Sequence, residues 1–270
     1  MNDYTIIENR SFFSDFVYYK TAESLPDFRS LISSIEDVFP RVSLINNFIF
    51  VKAGGLTLPD GRKLFIKKYE KRDFFYRLEF VVRKTRAEKF WHASLVLEKN
   101  NIFHPKICAV LVKKKMGLFD GAYIITEWVH NTFSPDTSPD LFKDASKRES
   151  FCSDVIGLLC KIHNAGIFHG DTKLYNFFMV PNPDGEEKLG IWDLDGAICY
   201  DELPERKRYR DLGRLTASFI EFYIKNEVNM DKNEFADKIL YLYKCGTGIT
   251  LNHDILNKIS NKHLTRKGFI

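Results

Sequence analysis

The sequence predicts an α+β chain of two lobes: a small β-rich N-terminal lobe with one main helix, then a mostly helical C-terminal lobe. Three observations predict it. Short apolar runs separated by Gly- and Pro-containing turns crowd residues 42–129. A stretch holding two prolines, Asn131–Pro139, breaks that pattern. From Arg206 onward apolar residues recur at helical spacing. The lobes are therefore expected at residues 1–130 and 131–270.

Each element follows from local pattern. Val42–Val51 carries Ile45, Phe48, Ile49, Phe50 and Val51 and reads as a strand. Ala53-Gly54-Gly55 and Pro59-Asp60-Gly61 supply turns, and Lys63–Tyr69 supplies a second strand. Asp73–Glu98 lacks Gly and Pro, spaces Leu78, Val81, Val82, Phe90, Leu95 and Leu97 as a helix does, and ends before Pro105. Cys108–Lys113 and Ala122–Val129 read as strands around a Lys-rich turn. Ser146–Asn164 is a helix whose apolar face holds Phe151, Val155, Leu158, Leu159 and Ile162. A hairpin through Pro181-Asn182-Pro183-Asp184-Gly185 leads to a strand at Leu189–Trp192.

Composition narrows the class. A chain of 270 residues, 44% hydrophobic and 28% charged, has enough apolar residues to bury a sizeable core and is not of the disordered class. A net charge of +4 suits an anionic substrate and falls short of a dedicated nucleic-acid binder, so no nucleic-acid partner is expected. The five cysteines form no C-x-x-C pair and read as reduced thiols of a cytoplasmic protein. No apolar run approaches the ~20 residues of a membrane span, and the first residues lack a basic-then-apolar leader pattern.

The chemistry is concentrated in two segments. His169-Gly170-Asp171-Thr172-Lys173-Leu174-Tyr175-Asn176 has the form H-x-D-x-K-x-x-N of a kinase catalytic loop. Phosphoryl transfer needs an Asp to accept the proton of the attacking hydroxyl, which is Asp171 here. It needs a Lys near the transferring group, Lys173, and an amide oxygen for Mg²⁺, Asn176. In Gly190-Ile191-Trp192-Asp193-Leu194-Asp195-Gly196 an apolar strand ends on a carboxylate, and Asp193 suits a Mg²⁺ ion bridging nucleotide phosphates. An Asp-rich turn would also explain the second segment taken by itself. The order and spacing of the two argue for ATP and Mg²⁺ as the cofactors.

Upstream, Leu64-Phe65-Ile66-Lys67 places Lys67 after an apolar run, where a strand Lys can meet the α- and β-phosphates. Lys68 competes for that role. Its carboxylate partner is expected on the next helix, where Glu79, Glu88 and Glu98 qualify by type and Glu88 is preferred. Gly54-Gly55 either covers phosphates or turns a hairpin. The backbone of Glu127 and Val129, at a strand end before a Pro-containing loop, is the candidate adenine contact. Asp211 either caps a helix or braces the catalytic loop. His163 and His169 are expected to be structural.

Several segments together resemble the bacterial lipopolysaccharide kinases, the heptose and Kdo (3-deoxy-D-manno-octulosonic acid) kinases of the protein-kinase-like superfamily. They are Phe65-Ile66-Lys67-Lys68-Tyr69, Thr85-Arg86-Ala87-Glu88-Lys89-Phe90-Trp91, Asn101-Ile102-Phe103-His104-Pro105, Thr126-Glu127, His169-Gly170-Asp171, Asp193-Leu194-Asp195 and Arg210-Asp211-Leu212. One departure is Asn100-Asn101, where the family often has Gly before the Ile. The resemblance implies a bilobal protein-kinase-like fold and ATP-dependent phosphorylation of a sugar hydroxyl on the lipid A–core glycolipid at the cytoplasmic face of the inner membrane. It also implies Asp171 as base, Asn176 and Asp193 as metal ligands and Lys67 as phosphate contact. An atypical protein kinase is one alternative, although no Ala-Pro-Glu segment follows Asp195 to form a peptide platform. A nucleotide-binding scaffold without activity is the other. Lys67-Lys68, Lys71-Arg72, Arg83-Lys84 and Lys113-Lys114-Lys115 are solvated faces or contacts with anionic headgroups in a peripheral membrane association.

Overall fold

Alternating apolar residues need a face to bury, and in the first part of the chain they find it in one antiparallel sheet. The computed structural model describes residues 5–8, 16–20, 30–135, 143–181 and 187–269, the first two stretches as backbone only. It forms two compact units, Met1–Ser94 with Pro105–Val129 and Leu95–His104 with His130–Ile270.

The first unit holds strands β1 (Thr5–Glu8), β2 (Phe16–Lys20), β3 (Ser43–Asn47), β4 (Val51–Thr57), β5 (Lys63–Glu70), β6 (Ile107–Lys115) and β7 (Leu118–Glu127). They pair antiparallel in the order β1-β2-β6-β7-β5-β4-β3. Strands β1 and β2 come from a region in which sequence pattern shows no element. The run read as one strand over Val42–Val51 is two strands, turning at Phe48–Phe50 where Phe48 N–H donates to the Val51 carbonyl. Ala53-Gly54-Gly55 is not a turn but lies inside β4. A Cβ on Gly54 would stand 2.1 Å from the Ser43 carbonyl oxygen, so Gly54 admits the close passage of β3, while Gly55 faces the Trp128 ring. The turn at Pro59-Asp60-Gly61 forms as expected, with Gly61 at φ 86°.

One sheet face carries a core of Leu64, Ile66, Ala109, Leu111, Tyr123 and Ile125 against Leu31, Ile32, Ile35 and Phe39, the last three flanking or within the short helix α1 (Ile35–Val38). Period-two alternation sends Lys68 to this same face, where it meets Glu36 at 3.3 Å. Glu36 also accepts from Tyr123 Oη at 2.8 Å and from Lys113. Partial burial opposes ionisation, but the bonds from Lys113 and Tyr123 and the charge of Lys68 prevail and hold Glu36 at about 2. Lys67, one residue on, points to the opposite face.

The single helix expected over Asp73–Glu98 is two, α2 (Phe74–Val82) and α3 (Arg86–Lys99). Asp73 caps the first by accepting from Tyr76 N–H at 3.0 Å. Thr85 and Glu88 close a reciprocal capping box that starts the second: Thr85 N–H donates to Glu88 Oε2 at 2.8 Å and Glu88 N–H to Thr85 Oγ1 at 3.2 Å. After α3, Asn101 takes φ 53°, a left-handed position that Gly or Asn fills at least cost. The Lys-rich run before Gly117 belongs to β6. The turn itself is Met116-Gly117, at φ 55° and 77°.

The second unit is helical around a small β platform. Helix α4 (Ala145–Asn164) buries Phe151, Val155, Leu158, Leu159 and Ile162, as its spacing predicts. It packs on α6 (Lys232–Thr247), while α5 (Glu205–Lys225), buried along most of its length, packs on α7 (His253–Arg266). Between α4 and α5, β8 (Ile167–Phe168) pairs with β11 (Ile198–Cys199), and β9 (Phe177–Pro181) pairs with β10 (Glu187–Ile191). The tip of that hairpin, residues 182–186, and most of the Pro-containing stretch after Asn131, residues 136–142, lie outside the described residues. So do the side chains of the first 29 residues.

Glu36 gives unit 1 a charge-dependent contribution with a definite sign. Its folded pKa lies below the ordinary 4.5, so the contribution is present above that value and lost as the pH falls toward 2. Glu36→Gln is expected to lower stability at pH 7 by about 1 kcal/mol or less, because the pair is half exposed. It should also flatten the acid limb between those pH values. Urea unfolding at pH 7 and in that acid window checks both.

Candidate active site

The site is built on a loop whose backbone has no regular ladder of its own. Between β8 and the 3-10 turn Leu174–Asn176, residues 169–173 must find other hydrogen-bond partners. A buried carboxylate on α5 supplies them. Asp211 Oδ2 accepts from His169 N–H at 2.7 Å and Oδ1 from Gly170 N–H at 2.9 Å. The Asp211 carbonyl accepts from Thr172 Oγ1 at 2.5 Å, and Ser218 Oγ accepts from Leu174 N–H at 2.9 Å. Asp211 does not cap α5, which starts six residues earlier at Glu205 after Pro204. It braces the loop of residues 169–172.

Asp211 is itself held from behind. His163 Nε2 lies 3.3 Å from Oδ2, His163 Nδ1 lies 2.7 Å from Tyr243 Oη, and Arg208 Nη1 donates to that same oxygen at 3.0 Å. The acceptors set the direction: Arg208 to Tyr243, Tyr243 to His163 Nδ1, His163 Nε2–H to Asp211. Burial pushes the His163 imidazole down from its ordinary value, more strongly than the Asp211 carboxylate raises it. His163 is therefore a neutral structural residue.

His169 joins the two chemical segments. Its Nδ1 accepts from Asp171 N–H at 3.3 Å, so Nε2 carries the proton and donates to the Trp192 carbonyl at 3.0 Å. The segments also meet through glycine. Gly170 stands at φ 84°, and a Cβ there would lie 3.0 Å from the Gly196 carbonyl oxygen. Trp192 N–H donates to the Asn176 carbonyl at 3.0 Å, its indole N–H to the Tyr175 carbonyl at 3.0 Å, and its ring stacks on Phe178 at 4.5 Å. These contacts place Asn176 and Asp193 just beyond the β9–β10 ladder, where Phe177 pairs with Ile191.

The candidate catalytic residues converge here. Lys173 Nζ lies 3.2 Å from Asp171 Oδ2. Arg214 Nη2 lies 2.6 Å from Oδ1. Each carboxylate oxygen of Asp171 thus faces a cation. Asn176 Nδ2 donates to the Asp171 carbonyl at 2.7 Å, which leaves its amide oxygen as the outward group. Asp193 takes φ 59°, a left-handed conformation that costs a non-glycine residue about 1–2 kcal/mol and so marks a position set by its surroundings. Asn176 and Asp193 form a donor set of one amide oxygen and one carboxylate. This fits Mg²⁺, which takes one or two protein carboxylates with phosphates and water. Among the described residues no cluster of three His, Cys, Asp or Glu could hold a metal unaided.

The remaining sequence candidates lie on the first unit. Lys67 is half-buried, with Nζ 5.7 Å from the Tyr69 ring centroid, on the face away from Glu36. Lys68 is engaged by Glu36 and Glu70 on the other face. Glu88 Oε2 serves the capping box of α3. The Glu127 N–H donates to the Lys106 carbonyl at 2.9 Å, so that group is engaged within the unit. Val129 follows at the end of the unit.

Sequence reading missed Arg214, Arg208, Tyr243 and Ser218. A signal for two of them existed. Asp211, Arg214 and Ser218 stand at i, i+3 and i+7 on a largely buried helix, one polar stripe along one face.

Two outcomes follow for the brace. Asp211→Ala leaves two loop N–H groups without an acceptor and should cost about 2–4 kcal/mol in urea unfolding. Stability should also fall as the pH drops below the ordinary His value near 6.5, because unfolded His163 takes up a proton that the buried ring resists. His163→Gln should remove the part of that dependence that His163 contributes, measured by melting temperature between about pH 5 and 8 as a shallower slope than wild type.

The comparisons agree with this geometry. The profile of the lipopolysaccharide kinase (Kdo/WaaP) family matches residues 57–238, more than half of the chain. Two 3-deoxy-D-manno-octulosonic acid kinases, from Vibrio vulnificus strains YJ016 and CMCP6, are each 26% identical over 152 residues, 56% of this chain. That match spans 60% of the relatives' own length. WaaP, solved in complex with acyl carrier protein, superposes with a TM-score of 0.58 at 17% identity, covering 87% of this chain and 96% of WaaP, and so shares its protein-kinase-like fold. The chain belongs to the lipopolysaccharide kinase (Kdo/WaaP) family.

Proposed function

We propose that the protein transfers the γ-phosphoryl group of ATP to a sugar hydroxyl of the lipid A–core glycolipid, with Kdo as the acceptor sugar, at the cytoplasmic face of the inner membrane. The observation that carries this reading is Asp171, whose carboxylate Lys173 and Arg214 hold at 3.2 and 2.6 Å on a loop fixed by Asp211. A carboxylate so placed is a group that could take the proton of an acceptor hydroxyl.

In the proposed reaction the hydroxyl oxygen bonds to the γ-phosphorus, the bond to the β–γ bridging oxygen breaks, ADP departs, and the hydroxyl proton passes to Asp171. Lys173 offsets charge on the transferring group. Asn176 and Asp193 would hold Mg²⁺, which when bound neutralises phosphate charge. From the first unit, Lys67 is the proposed α/β-phosphate contact with Glu88 as its partner, and the backbone of Glu127 and Val129 is proposed for adenine.

Charge around Asp171 favours an acidic sugar over a neutral one. Lys173, Arg214, His263 and Lys267 line a small hollow of about 30 Å³ together with Ser218 and Glu221. Burial and then the charges of Arg214, Arg266, Lys262 and Lys267 push the His263 imidazole down, a sign of net positive potential. Kdo carries a carboxylate. The Kdo kinase relatives and the family membership support the same choice.

Asp171→Asn is expected to lower kcat about 10²–10⁴-fold while leaving ATP affinity within a few-fold. The readout is phosphate transfer to Kdo-containing lipid A, beside a nucleotide-binding titration. Arg214→Gln should lower kcat through misplacement of Asp171 and raise KM for an acceptor bearing the carboxylate more than for its carboxyl-reduced analogue. Full transfer by Asp171→Asn removes the assignment. An equal KM change for both acceptors removes the preference for an acidic sugar.

A further inference from the structure

A helix that is apolar on every side belongs in a core. In α2 seven of nine residues are apolar or aromatic, yet none of them is buried. One side is used. Tyr76 packs edge-on and Phe80 at a tilt against Phe119 of β7, at 6.0 and 5.1 Å, and Arg77 Nε donates to the Phe119 carbonyl at 2.8 Å. The other side, Phe74, Phe75, Leu78 and Val82, faces outward, with Phe75 80% and Val82 86% exposed. Beside it, the β6–β7 turn holds out Met116, 84% exposed.

Cations rim this apolar face. Arg83, Lys84 and Lys114 line one hollow of about 220 Å³ together with Val82, Phe80 and Phe119. Lys115 adjoins Met116 at the tip of the same hairpin. Between residues 71 and 84 five Lys or Arg stand against two acidic residues. Outward Phe, Leu and Val with a basic border is the composition of a helix lying in a bilayer interface. At nine residues α2 is far too short to span, and no helix among the described residues is long and apolar enough to cross a membrane.

We propose that α2 and the β6–β7 hairpin tip form a docking surface for an anionic bilayer. Phe75, Leu78, Val82 and Met116 enter the headgroup boundary, and Arg83, Lys84, Lys114 and Lys115 meet lipid phosphates. Net positive charge around the exposed face selects an anionic lipid surface over an acid-poor protein face. The surface extends the proposed function, whose acceptor is a lipid. It is read by vesicle binding, so either idea can fail while the other stands.

The test is co-sedimentation of the full chain with vesicles of phosphatidylglycerol and phosphatidylethanolamine, against vesicles of phosphatidylcholine. The wild-type chain should partition to the anionic vesicles. Phe75→Ser with Val82→Ser, both exposed and checked for folding by circular dichroism, should lose about tenfold in partitioning. Lys114→Glu with Lys115→Glu should lose the preference for anionic lipid, as should high salt on the wild type. Absence of wild-type partitioning overturns the proposal, as does unchanged partitioning by both double variants. A concentration-dependent dimer that the serine pair dissolves would give this face to a second copy and overturn it too.

Discussion

The loop that carries Asp171 depends on one buried carboxylate. Residues 169–173 contribute no ladder, and the few hydrogen bonds within the loop do not by themselves hold two side chains within a few tenths of an ångström. Asp211 takes two of its N–H groups, its own carbonyl takes Thr172, and the same helix offers Ser218 to Leu174. The loop therefore inherits its position from α5, the most extensively buried helix of the second unit. A buried charge is tolerable only when several donors meet it. Here two amides and an imidazole converge on it, and Arg208 stands one link behind through Tyr243.

The second constraint is steric. Gly170 and Gly196 pass so closely that a Cβ on either would press on the other segment's backbone. This approach lets His169 reach the Trp192 carbonyl and sets Asp193 at a fixed distance along the chain from that anchor. Asp193 then occupies a left-handed backbone position. Strain at a candidate metal ligand is sustained because the ring stack of Trp192 on Phe178 and the Trp192–Asn176 backbone bond hold the residues just before it.

Much of this was legible in the sequence, for a physical reason. Asp171, Lys173 and Asn176 act through spacings of a few residues, and Asp193 ends an apolar strand, so local pattern displays them. Helix α4 and strand β5 were legible because one face of each is buried. What local pattern misread was governed by partners distant in the chain. Gly54-Gly55 looked like a turn, since nothing nearby shows that β3 will pass over it. The break between α2 and α3 involves no Gly or Pro; it is made by the Thr85–Glu88 capping box, visible in the sequence only if looked for. Strands β1 and β2 need β6 to form, some ninety residues away, and give no signal of their own. Arg208 and Tyr243 act on the loop only through His163 and Asp211.

The cations around Asp171 bear on what kind of catalyst this arrangement makes. A carboxylate freed from partners is the better proton acceptor, but it is also free to wander. Asp171 is instead clamped, by Lys173 on one oxygen and by the charge of Arg214 on the other. In phosphoryl transfer through a loose transition state the nucleophile bonds late, so the protein has little covalent chemistry to perform. Positioning and charge compensation supply most of the rate. A clamped Asp suits the proposed reaction, because it would orient a hydroxyl at a fixed point and take the proton late. The two groups that clamp it are also cations beside the acceptor position, where they would compensate the spreading negative charge. The geometry therefore favours placement over basicity, consistent with a loop that commits an entire buried network to staying where it is.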